Sequence, residues 1–192
     1  MQQIVDFILE LDKLKGVLRK VCPLALDRYE NSAEHSWQLA LLAISLARYA
    51  EEPLDINRVI RMLLVHDVGE IDTGDVIVFA HVNWEERKAA ERTAVTRIFS
   101  ILPEEDSSEL LQLWLEFEEG ESAEARFAHA VDRAMPVLLN LANQGQSWRE
   151  NGISYERVVN RIAPPIQTGC PALWTYLQPR LEEAREKGFF GA

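Results

Sequence analysis

Cysteine, basic charge and strand-like alternation are all scarce in this chain of 192 residues. Its two cysteines, Cys22 and Cys170, lie far apart. They make no disulfide framework and lack the close spacing of a zinc knuckle, so a reducing, cytoplasmic setting is expected. No apolar run approaches the roughly 20 residues that span a bilayer. The first residues, Met1-Gln2-Gln3-Ile4-Val5-Asp6, carry neither a basic leader nor a cleavage pattern, so neither a signal peptide nor a membrane partner is expected. Lys and Arg number 20 against 31 Asp and Glu, a net charge of −11. A nucleic-acid polymer calls for a basic face, which scattered cations do not make. A small anion stays open as a partner, because a metal and one or two cations hold a phosphate locally. Repeats, low-complexity tracts and linkers are absent, and 75–79 is the one short β-like stretch.

Helical periodicity fills the chain instead. Residues 4–15 place Ile4, Phe7, Ile8, Leu11 and Leu14 on one face, and Gly16 ends the element. A short basic patch follows, Val17-Leu18-Arg19-Lys20-Val21, and then a surface loop to Glu30. Asn31-Ser32-Ala33-Glu34 is a capping-box pattern, opening a helix to about Ala50 that buries Leu39, Leu42, Ala43, Leu46 and Ala47. Asp55 or Asn57 caps the next helix, which runs into His66-Asp67. Further helices are expected at 84–101, 105–119, 123–143 (with a kink at Pro136), 154–162 (stopped by Pro164-Pro165) and 172–187. Residues 143–152 read as a polar loop. With 47% hydrophobic residues, the chain supports one all-α domain over 1–192, of about six to eight helices.

Chemistry gathers in the middle of the chain. His66 and Asp67 end an apolar run, and Glu70 follows three residues after Asp67, so on a helix the two carboxylates share a face. Imidazole plus carboxylate is a common ligand set for divalent metals, and a buried His with a capping Asp is the structural alternative. His35 lies in the first turn of its helix, four before Leu39, and turns toward the same core. Asp132 sits among apolar positions and needs a cation or donors there; Arg133 and Arg126 are its candidate ion-pair partners. Asp72-Thr73-Gly74-Asp75 lacks the ligand spacing of a calcium loop, and Asp75 falls where the chain can fold back over His66 and Asp67.

In the order H…HD…D, these residues resemble the signature of the HD-domain metal-dependent phosphohydrolases, most closely the 5′-deoxynucleotidase-like branch. Three strings carry the resemblance: Glu30-Asn31-Ser32-Ala33-Glu34-His35-Ser36, then His66-Asp67-Val68-Gly69-Glu70-Ile71-Asp72-Thr73-Gly74-Asp75, then Val131-Asp132-Arg133. It covers Leu11 to about Leu138, the metal-site core, with helices 154–187 completing the bundle. It implies one divalent metal (Mn²⁺, Co²⁺, Zn²⁺ or Mg²⁺) held by His35, His66, Asp67 and Asp132. It implies Glu70 as the group beside the attacking water and Asp75 as a positioning residue for sugar or water. It places Arg19, with Lys20, as the phosphate clamp, and a homodimer as the assembly. The implied reaction turns a nucleoside 5′-monophosphate and water into nucleoside and phosphate.

Two departures widen the reading. The bacterial nucleotidases carry a Trp beside the clamp arginine, linked to rejecting ribose, where this chain has Leu18, Lys20 and Val21. His81 and His129, the latter one helical turn before Asp132, also match the spacing of two-metal HD phosphodiesterases and di-iron oxygenases. A binding module that holds a nucleotide without hydrolysing it is the third reading; Glu70 and Asp75 distinguish it, because a structural metal needs neither.

Overall fold

The computed structural model describes residues 1–191. Among these residues there are ten α-helices and no β-strand. Eight are long: α1 (Gln2–Leu11), α2 (Ser32–Leu46), α3 (Ile56–Val65), α5 (Trp84–Phe99), α6 (Glu104–Glu119), α7 (Ala123–Ala142), α9 (Tyr155–Gly169) and α10 (Pro171–Glu186). Two are single turns, α4 (Glu70–Thr73) and α8 (Gln146–Glu150). Most long helices start where a short polar side chain takes the first free N–H groups. Asn31, Asp55, Asn83, Ser122 and Ser154 each accept from a backbone N–H two or three residues on. At α2 the box is complete, with the Glu34 carboxylate accepting from the Asn31 N–H.

α7 is the axis of the bundle. Its Phe127, Ala130, Val131 and Ala134 are fully buried, packed with Leu39 of α2, Met62 and Leu63 of α3, and Ile162 and Ile166 of α9. α10 closes that side with Leu177 and Leu181. A smaller core lies beneath α5 and α6, where Phe7, Val95, Ile98, Phe99 and Trp114 meet Val68.

Four expectations change. α9 runs through Pro164-Pro165 to Gly169 rather than stopping before them. The two prolines remove N–H donors, but Ile162, Ala163 and Ile166 stay buried on the inner side, and that packing carries the helix on. Residues 75–79 form no strand: their apolar side chains wall a cavity instead of pairing. The 143–152 loop contains α8. On α1 only Phe7 is buried, while Ile4 and Ile8 are 43% and 57% exposed, so the apolar face found in the sequence is only partly covered.

A candidate metal centre at the meeting of α2, α3 and α7

Three helices deliver three ligands. His35 is one turn into α2 and fully buried, His66 caps the C-terminal end of α3, and Asp132 lies midway along α7. One ligand atom from each lies within 4.8 Å of the other two. The main chain after His66 is pinned from outside, since Trp114 Nε1 of α6 donates to the His66 carbonyl at 3.1 Å. Gly69 then lets this turn lie against α5: a Cβ there would sit 3.1 Å from the Glu91 carbonyl oxygen and 3.3 Å from Val95 Cγ1.

The donor set fits a cation. His66 Nδ1 donates to the Leu63 carbonyl at 2.8 Å, which leaves Nε2 as the metal-facing nitrogen. That Nε2 is buried without a hydrogen-bond partner, 3.1 Å from Asp67 Oδ1 and 3.8 Å from Asp132 Oδ1. A lone pair aimed at two carboxylate oxygens is repulsive unless a proton or a metal lies between. Burial opposes a proton on His66, yet Asp67 and Asp132 outweigh it and push the imidazole pKa up to about 9. Asp132 shows the converse: burial favours its neutral form, but Arg133 and the two imidazoles hold its pKa well below the ordinary range. His35 Nε2 lies 3.0 Å from the same Asp132 oxygen. The His/His/Asp cluster can therefore coordinate one divalent ion.

Glu30 and Ser32 complete the surroundings, and sequence reasoning gave neither a role. Residues 17–21 run antiparallel to 30–32: Arg19 N–H donates to the Glu30 carbonyl, Glu30 N–H to Val21 and Ser32 N–H to Val17. This pairing sets Glu30, 1% exposed, with Oε2 3.4 Å from His35 Nδ1. An acid directly before a capping box was the available signal, but Glu34 has the better local explanation. Ser32 Oγ donates to Glu70 Oε2 at 2.6 Å. Burial, with the Asp67 charge beside it, raises the Glu70 pKa well above the carboxylate range, against the pull of Arg19. Asp75 is raised as well, by burial first, opposed by Arg19.

Arg19 binds the acidic side of this centre. Its Nη1 donates to Asp67 Oδ2 at 2.8 Å and lies 3.6 Å from Asp75 Oδ1, with Nε 3.5 Å from Glu30. Burial works against its charge, and Asp67 and Asp75 more than restore it. Lys20 lines the same cavity, with its amine over the Tyr29 ring at 5.7 Å. Of the two candidate partners for Asp132, Arg133 reaches it at 3.4 Å, while Arg126 pairs with Glu52. His81 is exposed, and His129 engages the Phe117 carbonyl through Nε2 at 2.7 Å. Neither histidine joins the cluster, so among the described residues a single metal site is formed. The centre opens on a cavity of about 490 Å³, in the usual range for a small-molecule site.

The HD-domain family profile matches residues 11–174. The chain belongs to the HD-domain family. It is 30% identical over 136 residues to the human protein named 5′-deoxynucleotidase HDDC2, covering 68% of this chain and 65% of that one; it thus spans slightly less than two thirds of that relative's length. Among solved structures, a predicted metal-dependent phosphohydrolase from Magnetospirillum magnetotacticum MS-1 superposes with a TM-score of 0.93 at 38% identity, over 100% of this chain and 95% of the other. The PH0347 protein from Pyrococcus horikoshii OT3 shares the fold, with a TM-score of 0.62 at 21% identity over 95% and 98% of the two chains.

Proposed function

We propose that this HD-domain protein is a metal-dependent phosphomonoesterase that turns a nucleoside 5′-monophosphate and water into nucleoside and phosphate. The observation that carries the reading is the buried Glu70 carboxyl beside the His35–His66–Asp132 cluster. A purely structural metal site has no use for a further buried carboxyl, one whose pKa burial and the Asp67 charge both raise. The names borne by the human and Magnetospirillum relatives agree with it.

Asp67 joins the cluster as the fourth ligand in this reading, its Oδ1 already beside His66 Nε2. When bound, the divalent ion supplies Lewis-acid polarisation of the phosphoryl group. The protein's own groups do the rest. Glu70, oriented by Ser32, takes the proton of the attacking water at its carboxylate. Arg19 holds phosphate oxygens once Asp67 turns to the ion, with Lys20 at the rim of the cavity. Asp75, fixed over the site beside Arg19, positions the sugar or the water.

The whole chain acts as one domain in this proposal, and two copies pair through the exposed apolar faces of α1 and α2. No helix among the described residues is long and apolar enough to cross a membrane. A cytoplasmic setting agrees with the free state of Cys22 and Cys170.

The test is phosphate release from a panel of ribo- and deoxyribonucleoside 5′-monophosphates, with Mn²⁺, Co²⁺, Mg²⁺ and Zn²⁺ each in turn. Turnover with at least one pair is expected. A metal-loaded protein that releases no phosphate from any of them would falsify the assignment.

A further inference from the structure

The cations around the cavity are not equally neutralised. Arg19 faces Asp67, Asp75 and Glu30; Arg87 pairs with Glu91; Lys88 pairs with Glu118. Two guanidiniums remain, on α7 and α9. Arg133, on α7, has only Asp132, 3.4 Å away, which is committed to the metal cluster. Arg161, on α9, makes no ion pair among the described residues, and its guanidinium carbon lies 5.8 Å from the centre of the Trp84 ring. Both line the same cavity as the metal cluster.

This is an unusual place to leave positive charge. The chain carries a net −11, with 31 acidic side chains available to neutralise it. Arg133 is half-buried and Arg161 exposed at the cavity wall, and like charges that share one cavity repel. Burial, and then the nearby Arg133, pull the Arg161 pKa down from its ordinary value. The repulsion is relieved when an anion lies between the two groups, and paired planar guanidiniums suit a phosphate or carboxylate.

We propose that Arg133 and Arg161 form a subsite for a second anionic group, a phosphate or carboxylate, borne by the part of the substrate that leaves as product. The inference rests on the phosphomonoesterase reading and narrows its substrate class: the phosphate to be cleaved sits at the metal cluster, and a second anion sits at the α7–α9 wall.

The test compares three probes on the metal-loaded full chain. Deoxyadenosine 5′-monophosphate has one anionic group, deoxyadenosine 3′,5′-bisphosphate adds a phosphate on the sugar, and 2′-deoxyadenylosuccinate adds two carboxylates on the base. A charge-assisted contact leads to the expectation that one of the two probes with added anionic groups exceeds the monophosphate in kcat/KM by about tenfold or more. Arg161→Gln should lower that probe's kcat/KM about tenfold more than the monophosphate's, and Arg161→Lys should retain most of the preference. Equal use of all three probes, or an equal loss on all three in Arg161→Gln, overturns the subsite and leaves the hydrolase reading intact. If none of the probes releases phosphate, calorimetric binding of the same three compounds to the wild type and Arg161→Gln still decides the subsite. Tighter binding of a probe with added anionic groups that Arg161→Gln weakens supports it, and equal affinities refute it.

Discussion

One carboxylate oxygen ties the metal cluster to Arg19, the proposed phosphate clamp. Glu30 Oε2 lies 3.4 Å from His35 Nδ1 and 3.5 Å from Arg19 Nε, and all three atoms are buried without a closer partner. A carboxylate behind a ligating imidazole fixes the ring and raises its basicity, and loss of such a partner typically costs about 10- to 100-fold in metal affinity or activity. Glu30→Gln keeps the size and removes the charge, so metal affinity should fall by about tenfold or more. A competition titration with a chromophoric chelator measures this, and an unchanged affinity would show that Glu30 only fills space. Glu70 separates from Glu30 by the opposite pattern. It hydrogen-bonds Ser32 and is not one of the three clustered ligands. Glu70→Gln should therefore retain the metal while kcat falls by about 100-fold or more. Loss of metal and turnover together would make Glu70 a ligand instead of a proton carrier.

At the scale of the element, α2 is both a structural unit and the arm that presents His35. Its first turn holds a complete capping box, and His35 N–H bonds the Asn31 carbonyl at 3.0 Å. Asn31→Ala removes the side-chain acceptor for the Glu34 N–H and should cost about 1 kcal/mol, read as a lower denaturant midpoint at unchanged slope. Because the ligand lies in that same turn, weaker metal binding should accompany it; a stability loss with full metal affinity would mean that packing alone fixes His35. Caps of this kind explain why helix starts were legible in the sequence: Asn31, Ser122 and Ser154 act on N–H groups three residues away. Helix ends were less legible. Pro164-Pro165 read as a stop, whereas burial of Ile166 and Ala163, which depends on α7, carried α9 onward. The metal residues were legible as residue types in order along the chain, but their surroundings were not. Ser32 meets Glu70 across 38 residues and Arg19 meets Asp67 across 48, and no local pattern encodes either contact. The apolar alternation of 75–79 misled for the same reason, since its partner is a cavity and not a neighbouring strand.

At the scale of the whole molecule, two apolar helix faces are left exposed by the described residues. Trp37, Leu41 and Ile44 recur at helical spacing on the outside of α2, 61%, 47% and 53% exposed. Ile4, Val5, Ile8 and Leu9 do the same on α1, each at least 43% exposed. Scattered apolar residues on a surface need no explanation, whereas rows along two helices are what an interface between copies would use. The proposed homodimer would bury them. Trp37→Glu with Leu41→Glu places two carboxylates on that face, where pairing would desolvate them in both copies, and should shift the protein to monomer in sedimentation equilibrium. The substitutions lie outside the core, so the isolated chain should keep its helical content. Mass action gives a second signature. Association that favours the folded state makes Tm rise with protein concentration, so the wild-type Tm should climb over a hundredfold concentration range while the double variant's stays level. Metal adds an independent contribution: at 100 times its Kd a ligand of the folded state stabilises it by about 2.7 kcal/mol. Chelation should then lower Tm by a similar amount in dimer and variant alike. A chelator effect confined to the dimer would place the metal, or its influence, at the subunit contact rather than among His35, His66 and Asp132.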